Sequence, residues 1–439
     1  MSSKTILIAT PPLSGHTNQL ITLCYELCSR GHKIYFATSS DFKSAVEASG
    51  AIHIRWQLEE TNVGRENLEK FNGIWDIVAK EKDPIVGEKL MSDVWALLYS
   101  GMHRAFEPIF KEVNPALVIG ERAALPALDM AYLNKIPYVI YSPKLGTLAP
   151  NPPSLPDFGT PYSVHMSLRE KILNRLNLPR CMILFRHSSK VLDRQRKDCG
   201  SNWGLNVLGA NGTIIVSSTF GIEIPRALPP NVNLVGPIIR FPLPEISSDL
   251  QSWLNESPEL PVVLAAFGTL APLTHEQICK LQDGFVNVKG RVLWALRAEH
   301  AQHLKENSRN LKIVRSVPQT SILEHKKVRA FVSHCGANSV NESFYFGKPL
   351  LCLPINGDQF YNAARVVDNE AGIKLDINNF SIEQLSNAID RLLYEPNFTA
   401  AAQRLSIVNQ KQNGITRARD LIETLLEGNI RSITSIPIR

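Results

Sequence analysis

The chain reads as an α/β protein made of two doubly wound parallel-sheet domains that face each other across a cleft. Three observations predict this: strand–helix–strand alternation from Lys4 onward, a second round of alternation beginning at Val262, and a proline-marked segment, Val235 to Glu245, between them.

Lys4 to Thr10 is a short β-rich run that ends in a turn at Pro11, Pro12 and Gly15. Leu20, Leu23, Cys24, Leu27 and Cys28 then recur at helical spacing. Gly31 stands where such a helix stops, and Lys33 to Thr38 is extended again. The same alternation returns in Leu117 to Gly120, Ala124 to Leu133 and Tyr138 to Tyr141. From Pro150 to Asn211 the pattern is less regular, with grouped prolines followed by helical segments bearing Arg and Lys, and this part is expected to shape a variable pocket. After Thr213 to Ser217 comes the Gly- and Pro-marked linker. Strands are then expected at Val262 to Phe267, Arg291 to Leu296, Val328 to Ser333 and Leu350 to Leu353, and amphipathic helices from Phe398 to Glu427. The expected division is 1–235, a linker 236–247, a second domain 248–415, and a terminal helix 416–439.

With 439 residues, 44% hydrophobic and 20% charged, the chain has apolar material for real cores, and disorder is not indicated. A net charge of +6, from 47 basic and 41 acidic residues without long runs, gives no case for nucleic acid. Seven cysteines without a Cys-x-x-Cys pair read as free thiols in a reducing, cytoplasmic setting. The opening apolar run is too short for a signal peptide, and no stretch approaches a membrane span, so a protein without a transmembrane segment is expected. Visits to a membrane surface to collect a greasy substrate remain open.

Phe331 to Ser339 runs from a strand through Gly336 into a helix that includes Glu342. A helix N-terminus presents free N–H groups and a positive dipole end, which suits a phosphate. Gly336 permits close backbone approach, His334 and Ser339 can donate to phosphate oxygens, and Glu342 can accept from ribose hydroxyls. Taken singly, Ser339 could be a cap, Asn338 a turn residue and Glu342 a solvated helix position. Asp358 and Gln359, after the next strand, offer a carboxylate and an amide that can grip vicinal hydroxyls, although Asp358 alone would serve as an N-cap. In the first half His16 follows Gly15 where a strand turns into a helix. It is either a general base for a hydroxyl proton or a residue closing the first helical turn.

Val317-Pro318-Gln319, Ile322 to His325, His334 to Ser339, Glu342, Gly347-Lys348-Pro349, Asp358-Gln359 and Asn362 together resemble the donor signature of UDP-dependent glycosyltransferases. Gly15-His16, Arg30-Gly31-His32, Val235-Gly236-Pro237, Trp253-Leu254, Phe267-Gly268-Thr269 and Leu293-Trp294 extend the likeness along nearly the whole chain in the family's order. The resemblance implies a GT-B fold, with an acceptor-binding first domain, a donor-binding second domain and a last helix crossing back to the first. It implies that His334, Asn338 and Ser339 hold the diphosphate with Thr269, that Glu342 holds the ribose, and that Gln319 with the Val317 backbone holds the uracil. Asp358 and Gln359 would hold the sugar, the Asp-Gln pair pointing to glucose. His16 would be the base in an inverting transfer to a small, lipophilic, hydroxylated acceptor such as a hydroxy fatty acid or glycolipid, sterol, phenolic or macrolide. The UDP-sugar would be a co-substrate, with no further cofactor, and the protein is expected to act as a monomer. No Asp-x-Asp supports a metal clamp on the diphosphate.

Three positions depart from that family. Glu121 stands where an aspartate usually orients the histidine, and it either takes that role or pairs with Arg122. Ser316 replaces a tryptophan that stacks on the base, a loss of about 1 kcal/mol. Gln19 replaces a proline near the helix start, where it is expected to adjust the helix without touching the reaction. A catalytically impaired UDP-sugar-binding protein and a UDP-sugar epimerase of the same fold are the alternatives. The apolar spacing of Met91, Trp95, Leu98, Met102 and Phe106 fits either core packing or the lining of a lipophilic pocket.

Overall fold

Runs of β-branched and apolar residues between glycine and proline turns form the strands, and in the central ones both faces are covered. In the computed structural model β1 (Thr5–Ala9), β2 (Lys33–Thr38), β3 (Ile52–Arg55), β4 (Leu117–Glu121), β5 (Tyr138–Ser142), β6 (Thr213–Val216) and β7 (Val232–Leu234) make one parallel sheet in the order β3-β2-β1-β4-β5-β6-β7. A second parallel sheet, in the order β10-β9-β8-β11-β12-β13, contains β8 (Val262–Ala266), β9 (Arg291–Ala295), β10 (Leu311–Val314), β11 (Val328–Ser333), β12 (Leu350–Cys352) and β13 (Gly372–Lys374). The structure describes residues 3–11, 14–55, 74, 77–78, 81, 83–148, 151–204, 209, 211–268, 273–297, 304 and 310–428.

Helices cover both faces of each sheet. Around the first lie α1 (Ser14–Ser29), α2 (Lys43–Ala48), α3 (Pro84–Val113), α4 (Leu125–Leu133), α5 (Leu168–Leu184) and α6 (Arg186–Asp198). The second half supplies α7 (Ser248–Asn255), α8 (His275–Val286), α9 (Gln319–Glu324), α10 (Ala337–Tyr345), α11 (Gln359–Asp368), α12 (Ile382–Tyr394), α13 (Pro396–Gln412) and α14 (Gly414–Leu426). Because strand side chains alternate, Leu7 and Ala9 enter one core while Ile6 and Ile8 enter the core on the opposite face. Val263 and Ala265 divide from Val262, Leu264 and Ala266 in the same way. Continuously apolar strands such as Val262–Ala266 are what two-sided burial requires.

Helix α14 leaves the second sheet and packs on the first: Ala418 and Ile422 join the core of Leu20, Cys24 and Ile34. Arg30 and Arg419 tie it down through Glu423 and Glu26, at 3.1 and 2.5 Å.

The long helix α3 starts cleanly because Asp83 accepts from the Ile85 and Val86 amides at 3.0 and 3.4 Å, with Pro84 at a position that needs no N–H. Its apolar stripe is core: Leu98 and Met102 are buried with Val94, Ile74 and Val78, and Phe106 sits under the first sheet.

Helix α6 is held by a buried polar knot. Asp129 accepts from Tyr99 Oη at 2.6 Å, from Arg196 Nε and Nη2 at 2.8 and 2.7 Å, and from Trp203 Nε1 at 3.1 Å. Asp129 and Arg196 are both buried, so removing one leaves an uncompensated charge. Asp129→Ala should therefore lower unfolding free energy by about 3–5 kcal/mol in urea titrations. A loss below about 1 kcal/mol would show that water, not Asp129, satisfies Arg196.

Candidate active site

In the first domain, β1 and β4 are adjacent, with Ala9 in register with Gly120. That pairing brings the first turn of α1 beside the carboxyl end of β4. His16 Nδ1 lies 2.9 Å from Glu121 Oε1, an ion-pair contact when the ring is protonated. Glu121 Oε2 accepts from the Ala123 amide at 2.7 Å, which fixes the carboxylate. Burial favours the neutral form of Glu121, but His16, the Ala123 amide and Arg122 outweigh it and hold the carboxyl below its ordinary range. The Glu121 carboxylate thus touches His16, and Arg122 acts on it through space. Burial also pulls the His16 imidazole down. Glu121 and, from across the cleft, Asp358 overcome both that effect and the opposing field of Lys144, so the net shift is upward.

In the second domain β8 and β11 are adjacent, and the residues after them form a cradle. His334 is wedged between two glycines: a Cβ on Gly336 would stand 2.8 Å from His334 Nε2, and one on Gly268 would stand 3.0 Å from Cε1. Cys335 turns the chain with φ of 64°, an uncommon value for a residue with a side chain. Burial lowers the His334 imidazole to about 4, with Asp358 offsetting only part of this, so at neutral pH it is an uncharged donor. Its Nδ1 has no hydrogen-bond partner among the described residues. Helix α10 begins beside it at Gly336 with no side chain capping its N-terminus. Ser339, buried one turn in, is not the cap. An open helix end next to an unpartnered imidazole nitrogen is what an anionic oxygen requires.

The remaining donor-side residues fall into two groups. Gln319 Nε2 donates to Glu342 Oε2 at 2.6 Å, which joins the start of α9 to α10, and Val317 packs half-buried on the same core. Burial raises Glu342 to about 7, which the Gln319 hydrogen bond counters only in part. Ser316 is exposed nearby. Asp358 does not cap α11: one oxygen meets Lys144 Nζ at 3.0 Å and the other accepts from Asn362 Nδ2 at 2.9 Å. Gln359 turns back to its own loop, accepting from the Ile355 and Asn356 amides at 2.8 and 3.0 Å. Thr269 lies outside the described residues.

Two contacts join the halves at this point. Asn338 Nδ2 donates to Gly15 O at 2.6 Å, beside His16, and Lys144 on the loop after β5 reaches Asp358. Nothing in the sequence marks Lys144, a lone lysine after Ser142-Pro143, because its partner arrives from 214 residues downstream through the fold. Gln19 likewise belongs to a network that its sequence position does not mark: it is buried and receives the hydroxyls of Tyr141 and Ser217.

Two doubly wound parallel-sheet domains, each opening at the carboxyl ends of its central strands, are the GT-B architecture. The UDP-glucoronosyl and UDP-glucosyl transferase family model matches residues 22–418, and the chain belongs to that family. The UDP-glycosyltransferase FPY2 of Fusarium mangiferae is 25% identical over 430 residues, covering 89% of this chain and 77% of the relative. Human 2-hydroxyacylsphingosine 1-beta-galactosyltransferase is 32% identical over 194 residues, which span 44% of this chain and 35% of that protein. Among solved structures the calicheamicin glycosyltransferase CalG4 superposes with a TM-score of 0.70 at 21% identity, covering 98% of this chain and 100% of that one.

Two measurements probe these electrostatics. In an NMR titration the His16 imidazole should titrate above its ordinary 6.5, and Glu121→Gln should move it downward, because burial then acts without the countering carboxylate. An unmoved titration would show that Glu121 does not act on the ring. Glu342 has a folded value of about 7 against an ordinary 4.5. Its contribution is therefore present below the lower value and is lost as pH rises through the upper one. Glu342→Gln should then stabilise the donor-free protein at pH 8, by on the order of 1 kcal/mol after solvent screening, with no gain at pH 4. An equal effect at both pH values would count against a protonated Glu342.

Proposed function

We propose that the protein transfers a hexose, glucose in the first instance, from its UDP conjugate to a hydroxyl of a small lipophilic acceptor, with inversion at the anomeric carbon. The observation that carries the reading is the 2.9 Å contact of His16 with Glu121 opposite the His334 cradle. On this reading residues 1–235 bind the acceptor, 236–247 link, 248–415 bind the donor and the terminal segment 416–439, described as far as residue 428, returns to the first domain. The acceptor oxygen attacks the anomeric carbon as the bond to the β-phosphate oxygen breaks. His16 takes the hydroxyl proton, and Glu121 holds the imidazolium that forms. The charge gathering on departing UDP is met by the α10 N-terminus, Asn338, Ser339 and neutral His334. An α-linked donor gives a β-glycoside.

Glu342 with Gln319 serves the ribose and uracil end, and Asp358 serves the sugar hydroxyls. For Gln359 to join Asp358 it must leave the amides of its own loop, so sugar binding there carries a local rearrangement. A second reading of the sugar rests on Lys144: a cation 3.0 Å from Asp358 can pair with the carboxylate of a uronic acid, so UDP-glucuronic acid belongs in any donor panel.

The test is mass spectrometry of products from UDP-glucose, UDP-galactose and UDP-glucuronic acid with mixed hydroxylated acceptors. A β-glucoside is expected. Donor binding without UDP release would overturn the transferase reading in favour of a binding protein. His16→Ala should cut turnover about 10²–10⁴-fold with UDP affinity nearly unchanged. Equal loss of both would make His16 structural. Because the base works as neutral imidazole, kcat/KM should rise with pH through a limb above the ordinary histidine value of 6.5, and Glu121→Gln should shift that limb downward.

A further inference from the structure

Helix α5 is inside out. Its buried positions are polar, Asn174 and Asn177, while large apolar side chains face solvent: Leu168 is 77% exposed, Ile172 53%, Leu176 57% and Ile183 75%. The spacing of 168, 172, 176 and 183 sets these four along one side of the helix, with Leu178 and Met182, 62% and 69% exposed, beside them. Arg169 and Arg180 lie along one edge of the stripe, Arg180 paired with Asp83, while Lys171 and Arg175 lie between the stripe and Leu178 and Met182. Glu170 is the acidic residue of the helix, and it is spent on the capping box with Ser167. Exposed apolar area of this extent is costly in water unless something covers it.

We propose that α5 is a membrane-docking helix that lies flat in the headgroup layer of an anionic bilayer. The apolar stripe is of a length and width to enter the acyl boundary, and long cationic side chains along one edge and within the exposed face can reach up to headgroup level. Charge complementarity selects this occupant over a second copy of the chain. A two-fold contact through α5 would set one basic face, with Arg169, Lys171 and Arg175, against another. Among the described residues no helix is long and apolar enough to cross a membrane.

The helix is wired to the cleft. Asn174 Nδ2 donates to Leu155 O at 2.7 Å, Asn174 Oδ1 accepts from the Asp157 amide at 2.6 Å, and Asn177 Nδ2 donates to Asp157 Oδ2 at 2.8 Å. The next residue, Phe158, carries Lys144 Nζ over its ring at 4.7 Å and packs on Tyr361 at 5.5 Å. A bilayer against α5 therefore stands two side-chain contacts from the Lys144–Asp358 bridge. A lipophilic acceptor leaving the membrane there would enter beside His16. Docking itself does not depend on the acceptor proposed above, and it is read without any transfer reaction.

The test is co-sedimentation of the full chain with phosphatidylcholine vesicles prepared with and without phosphatidylserine. The protein should pellet with the anionic vesicles and be released by raised salt. Leu176→Glu with Ile183→Glu should weaken partitioning about 100-fold, tenfold for each apolar side chain withdrawn, while thermal melting and UDP affinity are unchanged. Arg169→Gln with Arg175→Gln should weaken binding to the anionic vesicles selectively. Absence of pelleting by the unaltered chain, or equal pelleting by the Glu variant, would overturn the proposal. So would a dimer that the Glu variant dissociates in the absence of vesicle binding.

Discussion

Where a parallel sheet reverses its winding, two neighbouring strands send their following segments to opposite faces, and a crevice opens between their carboxyl ends. The first sheet reverses between β1 and β4, and the second between β8 and β11. Every central group of the site hangs from these four strands. His16 follows β1 and Glu121 ends β4, while Gly268 follows β8 and His334 follows β11. The site exists because the same winding rule operates twice and the two openings face each other. Change either strand order and the histidine–carboxylate pair or the glycine-walled cradle is gone, whatever the local sequence.

The two histidines illustrate how surroundings divide labour between identical side chains. Both lose solvation on folding, which disfavours the charged ring. At His16 a fixed carboxylate reverses that effect, so the ring can accept and carry a proton. At His334 no carboxylate among the described residues is in contact, the field of Asp358 is insufficient, and the ring stays neutral. A neutral donor beside a helix N-terminus stabilises an anion without being able to protonate it at neutral pH, which suits a leaving group that must depart charged. Asp358 contributes to the field at both rings and is itself neutralised by Lys144, so the charge balance of the cleft is shared between the two halves.

The sheets were legible in the sequence because two-sided burial writes itself as unbroken apolar runs, and Gly336, His334 and Glu342 could be placed because a strand, a glycine turn and a helix follow directly in the chain. What could not be read depended on side chains from distant segments meeting. Nothing local shows that Asn338 reaches Gly15, that Lys144 bridges to Asp358, or that Gln359 bends back on Ile355 and Asn356. Periodicity also fixes how apolar residues are arranged on a helix without fixing which way they point. The stripe in α3 and the stripe in α5 have comparable spacing; the first is core, and the second faces out because Asn174 and Asn177 have found partners on the loop beneath.

The chain passes between the two halves twice, and the passages lie side by side. A Cβ on Gly236 would meet Gln412 at 2.5 Å, and one on Gly414 would meet the Pro237 carbonyl at 2.3 Å. Beyond that junction α14 is embedded in the core of the first half. Mechanically this is a twin-strip junction rather than a single tether: the strips are pressed together so closely that a side chain at Gly236 or Gly414 would have to force them apart.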